Sequence, residues 1–132
     1  MKKNLGLSLL IISIITLNSC KEKGIWDDNI HLSTKAVEFK AAGDSITIKT
    51  GGTTWVVSDI SVDGKYYYDF TGIDLQTDSY SIKQDCFDVE HRDKNTLFIK
   101  VEANPNNVKR IITVGLAAGD YGDRVTITQA SK

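Results

Sequence analysis

The stretch TWVVSDISVDGKYYYDF, residues Thr54–Phe70, decides the fold. Its two halves are rich in β-branched and aromatic residues, and the pair Asp63-Gly64 separates them. Such a pair between two strands favours a type I′ turn, because both of its residues then adopt positive φ. A two-residue turn also fixes the register, so that Ile60 lies opposite Tyr67. The sequence therefore predicts a β-hairpin in the middle of the chain.

The predicted register distributes the side chains of this hairpin between two faces. Strict alternation places one set together: Trp55, Val57, Asp59, Ser61, Tyr66, Tyr68 and Phe70. This face is apolar at its base and both aromatic and polar at its tip. The alternation between residues 54 and 62 is imperfect, which indicates either a β-bulge or a strand that is covered on both faces. We expect Trp55 to belong to the core.

Period-two patterns continue on both sides of the hairpin. The alternating positions are Val37 and Phe39; Ile46 and Ile48; Phe87, Val89 and His91; Leu97, Ile99 and Val101; Ile112, Val114 and Leu116; and Val125 and Ile127. Residues 71–84 show weak periodicity and are expected to form a long connection, with room for one short edge strand. Seven or eight short strands without a helical pattern predict an all-β antiparallel sandwich over residues 34–130.

Residues 1–20 have the pattern of a secretory signal, with Lys2 and Lys3 before an apolar run from residue 5 to residue 17. The run is shorter than the ~20 apolar residues that a transmembrane helix needs. Because Ser19 and Cys20 follow it, the segment resembles a bacterial lipoprotein signal. The resemblance implies removal of residues 1–19 and a lipid on Cys20. That lipid would anchor the protein in the outer membrane, on the cell surface or the periplasmic face.

Residues 20–33 are polar and without periodicity, and we interpret them as a tether. The chain contains two cysteines. With Cys20 lipidated, Cys86 has no partner for an intramolecular disulfide, so the hydrophobic core must stabilise the domain alone. Basic and acidic residues number 16 and 17, and the two signs are mixed along the chain. Nucleic-acid binding needs a clustered positive surface, so we expect no nucleic-acid partner.

Several stretches together carry a resemblance to a known family. Trp55 follows a Gly-Gly break, LFIKVEAN spans Leu97–Asn104, and VTITQ spans Val125–Gln129. Together with Arg110 and Phe87, these resemble the BACON domain, an immunoglobulin-like sandwich common in surface proteins of Bacteroidetes. The resemblance covers about residues 34–130, although the middle of this chain, from residue 65 to residue 85, is longer than the family's pattern.

The resemblance assigns Asn104 and Arg110 to the family's spaced turn and Gln129 to its terminal glutamine. Physical chemistry gives these residues structural roles. The Asn104 side chain can bond nearby backbone and shape a turn, and the Arg110 guanidinium can reach loop carbonyls or a carboxylate while its stem packs. The family's name records a proposed carbohydrate-binding role, so the resemblance implies either glycan binding or the holding of other parts away from the membrane.

The sequence shows no elbow of the form G-x-S-x-G, no H-E-x-x-H, no phosphate loop and no calcium loop. We therefore predict a protein that is not an enzyme and uses neither a cofactor nor a metal. Glycan recognition commonly combines exposed aromatic rings with carboxylates. The candidate ligand-binding residues are accordingly Tyr66, Tyr68, Asp59, Asp69 and Tyr121.

Two alternatives stay open at this point. The tyrosines of the hairpin are also ordinary strand residues that could lie half-buried beside the core. The domain could equally serve as a structural spacer or as an accessory subunit that contacts partner proteins of a surface complex through an edge strand or through residues 71–85.

Overall fold

The computed structural model describes residues 27–132, and this part of the chain contains nine strands. The predicted signal peptide, residues 1–19, and the predicted lipidation site, Cys20, lie outside the described residues. The strands are β1 (Ala36–Phe39), β2 (Gly43–Lys49), β3 (Val56–Val62), β4 (Lys65–Tyr67), β5 (Tyr80–Gln84), β6 (Phe87–Arg92), β7 (Thr96–Glu102), β8 (Arg110–Ala118) and β9 (Tyr121–Gln129). Between residues 27 and 132 there is no helix of the length and apolar character that crossing a membrane requires.

The nine strands form two sheets that pack into a sandwich. The five-stranded sheet has the order β1-β9-β8-β3-β4, and the four-stranded sheet has the order β2-β7-β6-β5. All pairs are antiparallel except β1 with β9, which is parallel. The all-β immunoglobulin-like sandwich is therefore confirmed. The strand count exceeds the expected seven or eight because the connection after the hairpin does contain an edge strand, β5.

The β3–β4 hairpin has the predicted turn and register. Asp63 and Gly64 adopt φ angles of 50° and 83°, as a type I′ turn requires. Ile60 pairs with Tyr67, and the turn closes directly after Val62. Asp63 also fixes the hairpin to β8, because its carboxylate oxygen Oδ1 accepts a hydrogen bond of 2.8 Å from the Ile111 amide.

A bulge in β3 changes which residues share a face. The pairing of β3 with β8 shifts between Val57 and Asp59, so one extra residue, Ser58, lies in β3. As a result Val57 and Ile60 both face the core and are fully buried, as is Trp55. The expectation of strict alternation, which placed Trp55 and Val57 with Asp59, was wrong, because the bulge moves the residues before it to the opposite face.

The core lies between the two sheets and follows the period-two patterns. Its buried hydrophobic residues are Ile30, Phe39, Ile48, Trp55, Val57, Ile60, Ile82, Phe87, Val89, Leu97, Ile99, Val101, Ile112, Val114, Leu116, Ala118, Val125 and Ile127. Burial of side chains of this size stabilises a fold by about 1.5–3 kcal/mol each before the loss of chain entropy is counted. Cys86 is a free, half-buried thiol in the turn between β5 and β6.

The described part of the predicted tether belongs to the domain. Ile30 is fully buried in the core, and its carbonyl accepts a hydrogen bond of 3.0 Å from the Gly52 amide. The His31 carbonyl accepts a second one from Gly51, and Leu32 forms a β-bridge with Thr50. The assignment of residues 27–33 to a tether therefore needs correction: the polar composition of the segment hides one core residue and a set of backbone contacts.

Three buried polar side chains, Asn104, Arg110 and Gln129, close one end of the sandwich, and we call them the polar clasp. The Arg110 guanidinium donates to Gln129 Oε1 (2.9 and 2.8 Å) and to the carbonyls of Glu102 and Ala103 (2.8 and 3.1 Å). These two carbonyls belong to the end of β7 and the loop after it. The clasp therefore joins the five-stranded sheet to the four-stranded sheet.

The other clasp residues complete this network. Gln129 Nε2 donates to the carbonyls of Lys40 and Glu102 (3.1 and 2.9 Å). Asn104 Nδ2 donates to the carbonyls of Val108 and Ala130 (2.8 and 3.1 Å). Arg110 thus reaches loop carbonyls, one of the two arrangements anticipated from the sequence.

Candidate functional site

Tyr66 and Tyr68 lie on the outer face of the five-stranded sheet, the side turned away from the core. They are 47% and 66% exposed, and their rings stack with centroids 5.5 Å apart and planes inclined by 5°. We call them the tyrosine pair. Tyr66 is the cross-strand neighbour of Ser61 on β3. The pair therefore stands at the edge of the sheet, next to the strand that carries Asp59.

Alternation along β4 explains this exposure. The residue between the pair, Tyr67, points to the core side, where its ring meets that of Phe87 edge-on at 5.4 Å. Because neighbouring residues of a strand point to opposite faces, packing of Tyr67 turns Tyr66 and Tyr68 outward. Of the three consecutive tyrosines, the middle one is the half-buried strand residue, and the outer two remain available.

A row of hydroxyl side chains continues across the sheet from the tyrosine pair. Ser61 pairs with Thr113 on β8, and Thr113 pairs with Thr126 on β9. Ser61 Oγ and Thr113 Oγ1 share a hydrogen bond of 2.5 Å. At the far edge, Thr126 pairs with Ala36 on β1. We call Ser61, Thr113 and Thr126 the hydroxyl row, and no charged side chain interrupts it. Ser61 is buried, so the half-buried Thr113 and Thr126 present the accessible hydroxyls of the row.

Beside the hydroxyl row the sheet surface contains a depression of about 400 Å³. Its lining residues are Ser58, Asp59, Gly115, Leu116, Ala117, Gly122, Asp123 and Arg124. Asp59 pairs with Gly115, and Gly115 pairs with Arg124, so a carboxylate and a guanidinium flank a position that has no side chain. A Cβ added to Gly115 would lie 2.4 Å from Asp59 Oδ2. The Asp59 side chain therefore lies over this glycine.

The Asp59 carboxylate is only partly hydrogen-bonded. Its Oδ2 accepts a hydrogen bond of 2.9 Å from the Ser58 hydroxyl, whereas its Oδ1 is buried and has no partner in the structure. A buried polar atom without a partner costs about 1–3 kcal/mol, and such atoms are unusual enough to call for an explanation. Asp59 is therefore a carboxylate of the outer face that has one hydrogen-bonded oxygen and one buried, unsatisfied oxygen.

Of the two remaining predicted site residues, Asp69 is bonded within its own loop and Tyr121 lies on the other face of the sheet. Asp69 Oδ1 accepts hydrogen bonds from the amide and hydroxyl of Thr71 (3.0 and 2.5 Å), and these bonds lower the pKa of Asp69. Tyr121 pairs with Ala118, a core residue, and so lies on the opposite face of the sheet. Burial, followed by the neighbouring charge of Asp123, raises the pKa of Tyr121.

Sequence reasoning missed Thr113, Thr126, Gly115 and Arg124. Their signal is present in the sequence, because Thr113 and Thr126 occupy the outward positions of strands whose inward positions were recognised. Gly115 interrupts an apolar strand, and a glycine at such a position often marks a close approach of another group. The missing information was strand order, since only the pairing of β3, β8 and β9 brings these residues beside Asp59.

A second group of aromatic residues lies at the end of the sandwich where β3 begins. Trp55 stacks on His91 with ring centroids 3.8 Å apart, and Tyr80 meets His91 edge-on at 5.2 Å. His91 Nε2 donates to the Lys94 carbonyl (2.8 Å), while Nδ1 has no partner. A small cavity of about 70 Å³ borders this group. Among residues 27–132, no three His, Cys, Asp or Glu side chains cluster as a metal site.

Comparison with known proteins adds a fold relationship. No protein-family model and no curated protein matches the chain. The fold is similar to that of the NMR structure of a protein from Bacteroides thetaiotaomicron, with a TM-score of 0.64 and 17% sequence identity. The match covers 81% of this chain and 91% of that chain. At this level of identity the similarity shows the fold alone.

Proposed function

We propose that this protein is a non-enzymatic, glycan-binding lipoprotein with a BACON-like module, anchored in a bacterial outer membrane through Cys20. The observation that carries the proposal is the tyrosine pair, whose two stacked rings are exposed on the outer face of the sheet. The anchoring part of the proposal is supported by the signal pattern in residues 1–20. The BACON-like assignment is supported by the motifs from residue 97 to residue 129.

The chemistry of the outer face suits a sugar. Tyrosine presents a rigid apolar ring and a polar tip, so the rings can stack on the C–H face of a sugar while their hydroxyls form hydrogen bonds. The Asp59 carboxylate can only accept hydrogen bonds, and because its Oδ1 is buried in the free protein, a sugar hydroxyl would reach this oxygen only after the side chain turns outward. The hydroxyls of Thr113 and Thr126 both donate and accept, which matches the same property in the ligand.

The test is a glycan array that carries plant, host and mucin glycans, probed with the purified protein. We expect binding that disappears in the double variant Tyr66→Ala/Tyr68→Ala. The matched control is Tyr121→Ala, which removes a tyrosine from the opposite face of the same sheet and should leave binding unchanged. Circular dichroism spectra would verify that each variant is folded. Absence of binding by the folded wild-type protein would contradict the proposal.

A role as a structural spacer or accessory subunit is the second candidate, and the position of β5 favours it. This strand, Tyr80–Gln84, ends the four-stranded sheet, and among the strands of residues 27–132 it pairs only with β6. Its free edge can accept a strand from a partner protein. Capture of a surface-complex protein that is lost when β5 carries Ser81→Pro at an exposed position, in a variant whose circular dichroism spectrum is that of the wild type, would support this alternative together with a negative glycan array.

A further inference from the structure

We infer that the ligand is a neutral, linear polysaccharide that lies across the strands of the five-stranded sheet, along the hydroxyl row, with the tyrosine pair at one end. This inference rests on the proposed function and adds to it the chemical class and the direction of the ligand. The dimensions of the row, its charge and its open ends support this ligand.

The length of the row suits a chain and exceeds a single sugar. The paired positions Tyr66, Ser61, Thr113, Thr126 and Ala36 cross all five strands. Adjacent strands lie about 4.8 Å apart, so the row measures ~19 Å from edge to edge. That distance corresponds to several sugar units of an extended chain. A ligand that used only the tyrosine pair would leave most of the row unoccupied.

The charge distribution favours a neutral ligand. The row itself has no charged side chain, and on one side of it lie Asp59 and Arg124, of opposite sign. No ion pair joins these two within the described part of the chain. A carboxylate only accepts hydrogen bonds and a guanidinium only donates them. Neighbouring hydroxyls of one sugar can bond to both groups, whereas a charged chain of either sign would gain from one of the two charges and lose to the other.

Both ends of the row are open. At one edge the row ends at the exposed tyrosine pair, and at the other it ends at Ala36, an exposed residue with a single methyl group. The β1 and β4 strands that carry these residues are the edges of the sheet. A polysaccharide can therefore extend beyond both edges of the sheet without steric obstruction. This arrangement suits recognition of internal sugar units in preference to chain ends.

The experiment measures affinity against chain length by isothermal titration calorimetry. The probes are the cello-, xylo- and manno-oligosaccharides, each from disaccharide to hexasaccharide. We expect at least one series in which the affinity rises roughly tenfold from the disaccharide to the pentasaccharide, equivalent to about 1.4 kcal/mol. Polygalacturonate and heparin serve as anionic comparators, for which we expect no binding.

A variant with an obstacle in the row tests the direction of the ligand. Thr126→Lys places a long charged side chain at a position three strands away from the tyrosine pair. We expect it to reduce the affinity for the hexasaccharide to that of the disaccharide and to leave the disaccharide affinity unchanged. The matched control is Thr47→Lys on β2, an exposed threonine of the other sheet, which should leave both affinities unchanged.

The possible outcomes distinguish failure of this inference from failure of the proposed glycan-binding function. Equal affinity for the disaccharide and hexasaccharide, or preferential binding of the anionic polymers, would overturn the inference while glycan binding stands. An unchanged length dependence in Thr126→Lys would overturn the proposed direction. Absence of binding to every glycan on the array would overturn the proposed function and the inference together.

Discussion

The five-stranded sheet carries two groups of polar side chains, and the fold treats them in opposite ways. In the polar clasp, Arg110 donates to three acceptors and Gln129 bridges the two sheets. On the outer face, Asp59 has a single hydrogen-bond partner, Ser58, and leaves one oxygen unsatisfied. The tyrosine pair beside it is exposed. The clasp side chains close the sandwich, whereas the tyrosine pair stays exposed on the outer face.

This difference shows where function can lie. The clasp residues are the ones that carry the family resemblance, yet their hydrogen-bonding groups are engaged within the protein. The residues that remain free for a ligand, Asp59 and the tyrosine pair, are not part of the resembling motifs. Thr126 of the stretch VTITQ is the exception, because it lies in the hydroxyl row of the outer face.

The largest expected effect comes from breaking the clasp. In Gln129→Ala, Arg110 loses its side-chain acceptor, and the Lys40 and Glu102 carbonyls lose a donor. Hydrogen bonds to a charged group contribute about 1.5–3 kcal/mol, so we expect the free energy of unfolding to fall by about 3 kcal/mol. Urea denaturation measures the change. Thr128→Ala, its outward-facing neighbour, should change stability by less than about 1 kcal/mol, and an equal loss in both variants would contradict the prediction.

The close approach of Asp59 to Gly115 gives the next largest effect. A methyl group at Gly115 would meet Asp59 Oδ2 at 2.4 Å. Because the carboxylate is the end of a side chain that can turn aside, Gly115→Ala should cost about 1 kcal/mol of stability, the low end of the range for overpacking. In the background of Asp59→Ala, the same change should cost less than about 0.5 kcal/mol, because the clash is absent. A double-mutant cycle in urea measures this coupling. Additive costs would show that the two residues do not contact each other.

Removal of the tyrosine pair should affect stability less than removal of the tyrosine between them. We expect Tyr66→Ala/Tyr68→Ala to lower the free energy of unfolding by about 1 kcal/mol, the scale of a cross-strand contact. Tyr67→Ala, which removes the ring packed against Phe87, should cost more despite being a single change. Thermal and urea denaturation of both proteins provide the comparison. A larger loss in the double variant would mean that the pair serves mainly the fold.

Substitution of Asp59 is expected to have a smaller effect and to raise the free energy of unfolding. Its unpartnered oxygen costs stability, and Asp59→Ala removes this cost together with the bond from Ser58. We expect a gain of about 0.5 kcal/mol in the free energy of unfolding, along with loss of glycan binding. Such a gain would identify a residue kept at the expense of stability. A marked loss of stability would instead assign Asp59 a structural role.

The Asp69 carboxylate differs from that of Asp59 because it accepts two hydrogen bonds from Thr71. Its contribution to stability is expected to depend on pH. Hydrogen bonds from Thr71 lower its pKa in the folded state, so its stabilising contribution is present above the ordinary pKa of an aspartate. That contribution is lost as the pH falls through the lower folded-state value. The small stability difference between wild type and Asp69→Ala should therefore be present at neutral pH and vanish in acid. A difference that persists at low pH would contradict this assignment.

Most of the fold could be predicted from the sequence because its determinants are local. Asp63-Gly64 specifies its turn through backbone conformation, and alternating residues such as Ile112 and Val114 specify their face. Where the prediction failed, a single residue altered the pattern: Ser58 inserts the bulge that moves Trp55 and Val57 to the core. The burial of Ile30 was missed because an isolated apolar residue in a polar segment has no periodicity.

The candidate site could be predicted only in part. Tyr66, Tyr68 and Asp59 belong to one hairpin, so the sequence placed them together correctly. Thr113 and Arg124 reach the same face only through the strand order, which depends on long-range pairing that local patterns do not encode. For the same reason Tyr121 was grouped with the other tyrosines, although the alternation of β9 directs it to the opposite face.

The docking of residues 28–33 also fixes the end of the sandwich at which the chain enters the domain. Asn29 donates a hydrogen bond to the carbonyl of Ala118, at the end of the five-stranded sheet opposite to the Asp63-Gly64 turn. The strand between these ends, β3, has seven residues, so it extends ~23 Å. A chain attached through Cys20 would approach the domain from the Asn29 end. The Asp63-Gly64 turn would then lie at the far end of β3 from the point where the chain enters the domain.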